Sequence, residues 1–270
     1  MLAALRFKYD LAPVFPRMGE QMWDDFLLFV AIGFAAQLID GAIGMAFGVT
    51  AMTFLLSLGT GPAVASASVH AAEVFTSAVS GISHWRFGNI EWSFFRNLAI
   101  GGMLGGATGA YILVSAPGEI MSLLVNVYLL VIGVVIVAKA LRRALTKRSV
   151  SVPALRALGF LGGLLDAIGG GGWGPVVTST LVGRGAIPRM AIGSANFAEF
   201  FVATTIAGTF VATIGLELWP IILGLIVGGV FSAPMAAYVT RKLPDRAMMI
   251  LVGVVISLLS GRQLVQWLSQ

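Results

Sequence analysis

Two glutamates, Glu73 and Glu199, sit inside apolar stretches long enough to cross a bilayer. A charge at the centre of such a helix costs about 2.5–3.5 kcal/mol on insertion scales, which marks both as functional candidates. His70 precedes Glu73 by three residues, and Asn196 precedes Glu199 by three, so each pair shares one helical face. A carboxyl beside an imidazole can exchange a proton near neutral pH, so Glu73, His70 and Glu199 are proton-coupling candidates. The competing role is a polar pair that ties two helices together. A second set is built on glycine. The runs Asp40-Gly41-Ala42-Ile43-Gly44 and Asp166-Ala167-Ile168-Gly169-Gly170-Gly171-Gly172 interrupt apolar segments. Each glycine in a helix interior costs about 1 kcal/mol relative to alanine, so both runs predict a broken helix. A helix restarting after such a break presents unpaired N–H groups and a positive dipole end, which bind small anions. Gly44, Met45, Ala46, Gly170, Gly171, Gly172 and Trp173 are therefore substrate-binding candidates, with Asn196 and Ser194 nearby as hydrogen-bonding groups. Asp40 and Asp166 read as structural caps of the restarted helices, since an ionised Asp repels an anion. Small residues also line packed helix interfaces, and that is the expected role of Gly33, Gly101, Gly102, Gly105 and Gly106.

The elements that must carry these residues follow from composition. Apolar residues make up 58% of the 270 positions and charged residues 11%, against about 25% charged in a soluble domain. Most of the outer surface therefore faces something other than water. The net charge of +5 lies in short clusters between apolar runs and reads as an orientation signal, with no indication of a nucleic-acid partner. The chain has no cysteine and two histidines, which excludes disulfides, thiolate chemistry and a typical histidine-based zinc site, so no metal and no cofactor are expected.

Shifting the sequence by 126 aligns Gly33 with Gly159, Asp40 with Asp166, Pro62 with Pro188 and Glu73 with Glu199. Over 33–76 this gives 14 identities in 44 ungapped positions, and the paired acids and prolines favour duplication over chance. The expected fold is an all-α integral membrane protein of two inverted-topology repeats, 21–145 and 150–270, after an extramembrane arm at 1–20. Each repeat is a Gly-rich hairpin of two short helices (26–57; 157–182) plus three spans. These lie near 63–84, 93–114 and 119–139, then 188–213, 218–240 and 246–266, each close to the ~20 residues of a crossing.

The inversion rests on Lys and Arg. The central linker carries Lys139, Arg142, Arg143, Lys147, Arg148 and Arg156, which assigns it to the cytoplasm. Arg184 and Arg189 place the 183–189 turn inside, whereas the equivalent 57–62 turn has no base. Both termini then face the periplasm of a cell inner membrane. The bases Arg6, Lys8 and Arg17 of the arm oppose this threading and are outweighed by the linker.

At GFAAQLIDGAIGMAFG with GFLGGLLDAIGGGGWG, and at PAVASASVHAAE with PRMAIGSANFAE, the chain resembles the sulfite exporter TauE/SafE family. The resemblance covers nearly all of the chain after residue 25. It implies secondary transport that exports a small sulfur-containing anion such as sulfite, sulfoacetate or a related sulfonate, by alternating access. It directs attention to the glycines after Asp40 and Asp166 and to Asn196 and Glu199. Import of a similar anion or a carboxylate is the alternative within transport. A membrane receptor or assembly factor is the alternative outside it. An enzyme is not expected, because no HExxH motif, catalytic Cys or Ser/His/Asp set is present. The expected partners are a small anion, the lipid bilayer and protons. A homodimer is compatible with the sequence, which does not fix the oligomeric state.

Overall fold

The computed structural model describes residues 25–43, 46–141, 151–184, 186–215, 219–239 and 245–269. The arm at 1–20, Gly44, Met45 and most of the basic linker lie outside these residues. The described residues form ten α-helices and one π-helical segment, and no strand. In chain order they are α1 (Phe26–Ile43), α2 (Phe47–Ser57), α3 (Pro62–Arg86), α4 (Trp92–Ser115), α5 (Gly118–Leu141) and α6 (Val152–Gly169). The π-helical segment Trp173–Thr178 runs directly into α7 (Ser179–Gly183), followed by α8 (Pro188–Ile214), α9 (Trp219–Val239) and α10 (Asp245–Leu268).

Both Gly-rich segments break where the glycines predict. The shift of 126 carries Ile43, Phe47, Ser57 and Pro62 onto Gly169, Trp173, Gly183 and Pro188, which bound the corresponding elements. The arms of each hairpin are unequal, however, and not both short. The 18 residues of α1 or α6 rise about 27 Å, whereas the 11 residues of the return arm rise about 17 Å. The first arm of the second hairpin also begins at Val152, five residues earlier than expected, with Pro153 in its first turn, where a missing N–H costs nothing.

Among the described residues, five helices are long and apolar enough to cross a membrane: Trp92–Ser115, Gly118–Leu141, Val152–Gly169, Met190–Ile214 and Met249–Leu268. The span expected at 63–84 forms as α3, but His70, Glu73 and its serines lower its apolarity, because this helix carries the polar site. Large apolar side chains such as Leu104, Val131 and Val230 are more than half exposed, as expected of sides that meet lipid chains.

Packing crosses between the halves. The first arm α6 lies along α4, α1 lies along α9, α3 along α8 and α5 along α10. Glycine makes these approaches close. A Cβ on Gly101 would stand 2.2 Å from the Arg156 carbonyl oxygen, and one on Gly33 would stand 2.4 Å from that of Leu225. The packing role expected for these two glycines is what the structure shows.

Candidate functional site

The return arms start beside their own aspartates. Oδ1 of Asp40 accepts the N–H groups of Ala46 (2.8 Å) and Phe47 (3.2 Å). Oδ1 of Asp166 accepts those of Gly172 (2.6 Å) and Trp173 (2.9 Å). Each carboxylate thus reaches across its break to cap a helix that starts six to seven residues later. A buried, unpaired N–H costs about 1–3 kcal/mol, so these bonds hold the breaks in shape. They also occupy the N–H groups at Ala46, Gly172 and Trp173 that the sequence offered to an anion. The next N–H groups, on Gly48 and Val49 in one arm and Gly174 in the other, receive no carboxylate cap among the described residues. Pro175, which follows, has none to give.

The two breaks touch. A Cβ on Gly48 would stand 2.4 Å from the Gly170 carbonyl oxygen, and one on Gly171 would stand 2.0 Å from the Val49 nitrogen. Gly170 adopts the left-handed conformation (φ +66°) that ends α6, so glycine is the residue suited to it. Because Gly171 is enclosed by backbone, Gly171→Val disrupts packing as well as access and does not isolate ligand binding.

Beside this contact lies a cavity of about 260 Å³. Its walls include Ala46, Gly48, Val49, Gly171, Trp173 and Gly174 from the return arms and the breaks. They also include the acids Asp40, Glu73, Asp166 and Glu199, the amides Gln37 and Asn196, and the hydroxyls of Thr76, Ser77 and Ser80. No Lys or Arg among the described residues lines it. The structure thus brings Glu73, Glu199, Asn196, Ala46, Gly171 and Trp173 to one space. Gly170 and Gly172 lie at the break without lining the cavity. Ser194 does not line it either: its hydroxyl accepts the Glu91 N–H (2.7 Å) at the start of α4. Asn196 donates to the Ser80 hydroxyl across the α3–α8 contact (2.8 Å). Trp173 is fully buried and donates its indole N–H to the Ala195 carbonyl (3.0 Å), which fixes the ring against α8.

His70 stands next to the cavity, fully buried. Its Nε2 lies 3.3 Å from Asp166 Oδ2 and 3.8 Å from Glu73 Oε2. Helical spacing foretold the Glu73 contact. The Asp166 contact spans 96 residues and joins the two halves. Its only trace in the sequence is that Asp166 and Asp40 match under the shift.

Long apolar helices, lipid-facing sides and a polar cavity between broken helices define the chain as a multi-pass membrane protein of the transporter class. Residues 29–262 match the family described as "Sulfite exporter TauE/SafE". The chain is 39% identical over 252 residues to the "Probable membrane transporter protein YtnM" of Bacillus subtilis (strain 168), covering 90% of this chain and 84% of that protein. It is 22% identical over 270 residues to the "Probable membrane transporter protein YunE" of the same organism, covering 89% and 97%. No solved structure matches. The chain belongs to the sulfite exporter TauE/SafE family, and it is a membrane transporter, not an enzyme.

Proposed function

We propose that this protein is a secondary transporter that moves a small sulfur-containing anion, such as sulfite, sulfoacetate or a related sulfonate, outward through the cavity between the two breaks. The observation that carries this reading is the wall of that cavity, where Gly48, Val49 and Gly174, whose N–H groups receive no carboxylate cap among the described residues, and Asn196 lie together with four carboxyl groups. N–H groups at a helix start bind oxyanions without a basic side chain. Four ionised carboxylates would repel the same anion, since like charges a few ångströms apart in a poorly solvated site interact strongly. Anion entry therefore calls for neutralised acids, and proton uptake at Glu73 and Glu199, with His70 beside them, provides this.

Two halves of inverted orientation would alternate access to this site, as broken helices in inverted repeats do. The matched element boundaries and the crosswise packing of α1 on α9 and α6 on α4 support that arrangement. A return arm of about 17 Å is roughly half the ~30 Å hydrocarbon thickness, which favours a break near mid-depth. The same threading puts the central linker in the cytoplasm and both termini outside the cell membrane. The family's name favours export, and the site chemistry serves import equally.

Purified protein in liposomes tests the reading. Labelled sulfite and sulfoacetate should move faster than in protein-free vesicles, with a rate that depends steeply on pH. Glu73→Gln or Glu199→Gln should flatten that dependence while the protein still folds. Flux no faster than the leak for every sulfur anion tried would refute the substrate class. An unaltered pH profile in both variants would reduce the acids to helix-tying groups.

A further inference from the structure

We propose that His70, Glu73 and Asp166 form a binding site for a borderline divalent transition cation, of which Zn²⁺ is the type, on the wall of the cavity.

The argument starts from the imidazole. Nδ1 of His70 lies 2.8 Å from the Ser66 carbonyl oxygen and 3.2 Å from the Ser66 hydroxyl. That hydroxyl gives its own proton to the Ala167 carbonyl (2.6 Å). Both partners therefore accept, and these contacts assign the ring hydrogen to Nδ1. A neutral ring then turns the bare lone pair of Nε2 toward Asp166 Oδ2 and Glu73 Oε2, two further acceptors when ionised. Glu73 is 5% exposed, and its Oε2 is buried without any hydrogen-bond partner among the described residues. Asp166 is held by the N–H groups on its Oδ1, which leaves Oδ2 directed at the imidazole. Three electron-pair donors thus face one another with nothing assigned between them.

Such an arrangement is what a metal requires. A ligating histidine nearly always donates its other N–H to a carbonyl or carboxylate, which sets its tautomer and ring angle, and Ser66 does this here. The three ligand atoms lie within 4.8 Å of one another. A zinc ion held at about 2.0–2.2 Å by each needs them roughly 3.2–3.6 Å apart. The Nε2–Oδ2 separation of 3.3 Å already meets this, and the Nε2–Oε2 separation of 3.8 Å needs a shift of a few tenths of an ångström. One imidazole and two carboxylates suit a zinc-like ion better than Ca²⁺ or Mg²⁺, which prefer six or more oxygens. Glu73 and Asp166 line the cavity and His70 does not, so the open coordination position faces the cavity. If the transport reading holds, that position would take an oxygen of the anion, and the ion would offset Glu73 and Asp166 in place of a proton on Glu73.

Titration calorimetry of Zn²⁺, and separately Mg²⁺, into tag-free, chelator-stripped full-length protein in micelles tests the site. The expected result is one Zn²⁺ per chain and no comparable Mg²⁺ binding. His70→Gln and Glu73→Gln should each weaken Zn²⁺ binding by more than the roughly 10–100-fold that loss of an outer partner costs. Glu119→Gln, at an exposed carboxylate on α5, should bind as the natural chain does. No Zn²⁺ binding by the natural chain, or undiminished binding in both His70→Gln and Glu73→Gln, would overturn the proposal. Because no anion is present, this outcome is independent of transport. A chain that binds Zn²⁺ at His70 and moves no sulfur anion would refute the proposed function and leave the site standing.

Discussion

The first and second breaks share a plan and differ in what surrounds them. In both, an aspartate caps two N–H groups of a return arm that begins at the matching position. After the first break the chain enters ordinary α-helix at Phe47; after the second it passes through left-handed Gly170 and six π-helical residues, Trp173–Thr178. Asp166 uses its second oxygen on His70. Asn196, which holds the place of His70 in the other half, bonds Ser80 instead. Equal caps keep both breaks in shape, while one His-for-Asn difference sets an imidazole next to two carboxylates at the second break and, among the described residues, none at the first. On the proposed duplication, one of two matched breaks has in this way acquired a wall of its own.

The largest effect that can break this comparison is topological. In this chain without cysteines, Thr60→Cys and Ala186→Cys should react with a membrane-impermeant maleimide from opposite sides. The 57–62 turn should react from outside and the 183–189 turn from inside. Labelling from one side would mean that the halves run parallel and that the breaks do not face opposite compartments.

A smaller effect sharpens the difference between the caps. Asp40→Ala and Asp166→Ala each strip two N–H groups of their acceptor, and buried donors left unpaired cost about 1–3 kcal/mol. Asp166 is 1% exposed and its bonds, at 2.6 and 2.9 Å, are shorter and more buried than those of Asp40, at 2.8 and 3.2 Å, so its loss should lower stability by about 1 kcal/mol more than loss of Asp40. Thermal unfolding in detergent measures both. Equal losses would show that the deeper burial of the second cap contributes nothing to stability.

The smallest effect concerns Ser194, which the sequence placed near the site and the structure places against the start of α4. Ser194→Ala removes the acceptor of the Glu91 N–H and should cost about 1 kcal/mol of stability with unchanged anion flux. A variant of normal stability and impaired flux would return Ser194 to the substrate path.

Much of this molecule was legible before folding. The glycine runs predicted both breaks because each glycine weakens helix by a local, additive amount. The three-residue spacing put His70 and Glu73 on one face because helix geometry is periodic. Length and apolarity placed the ends of α3, α4, α5 and α8 within two residues of where they lie. The early start of α6 was missed because Val152–Leu155 sits beside a basic linker whose charge obscures its helical pattern.

What the sequence by itself determined is therefore what depends on neighbours along the chain: helices, their breaks, and which residues share a helical face. Only the tertiary structure decided that Asp166, 96 residues from His70, supplies the second carboxylate of the cluster. It alone decided that Gly48 and Gly171 meet backbone to backbone, and that the aspartates consume the N–H groups once open to an anion. Those outcomes depend on how α3 of one half seats against α6 of the other. That contact is set by the packing of many side chains across two halves, which no local spacing along the sequence encodes.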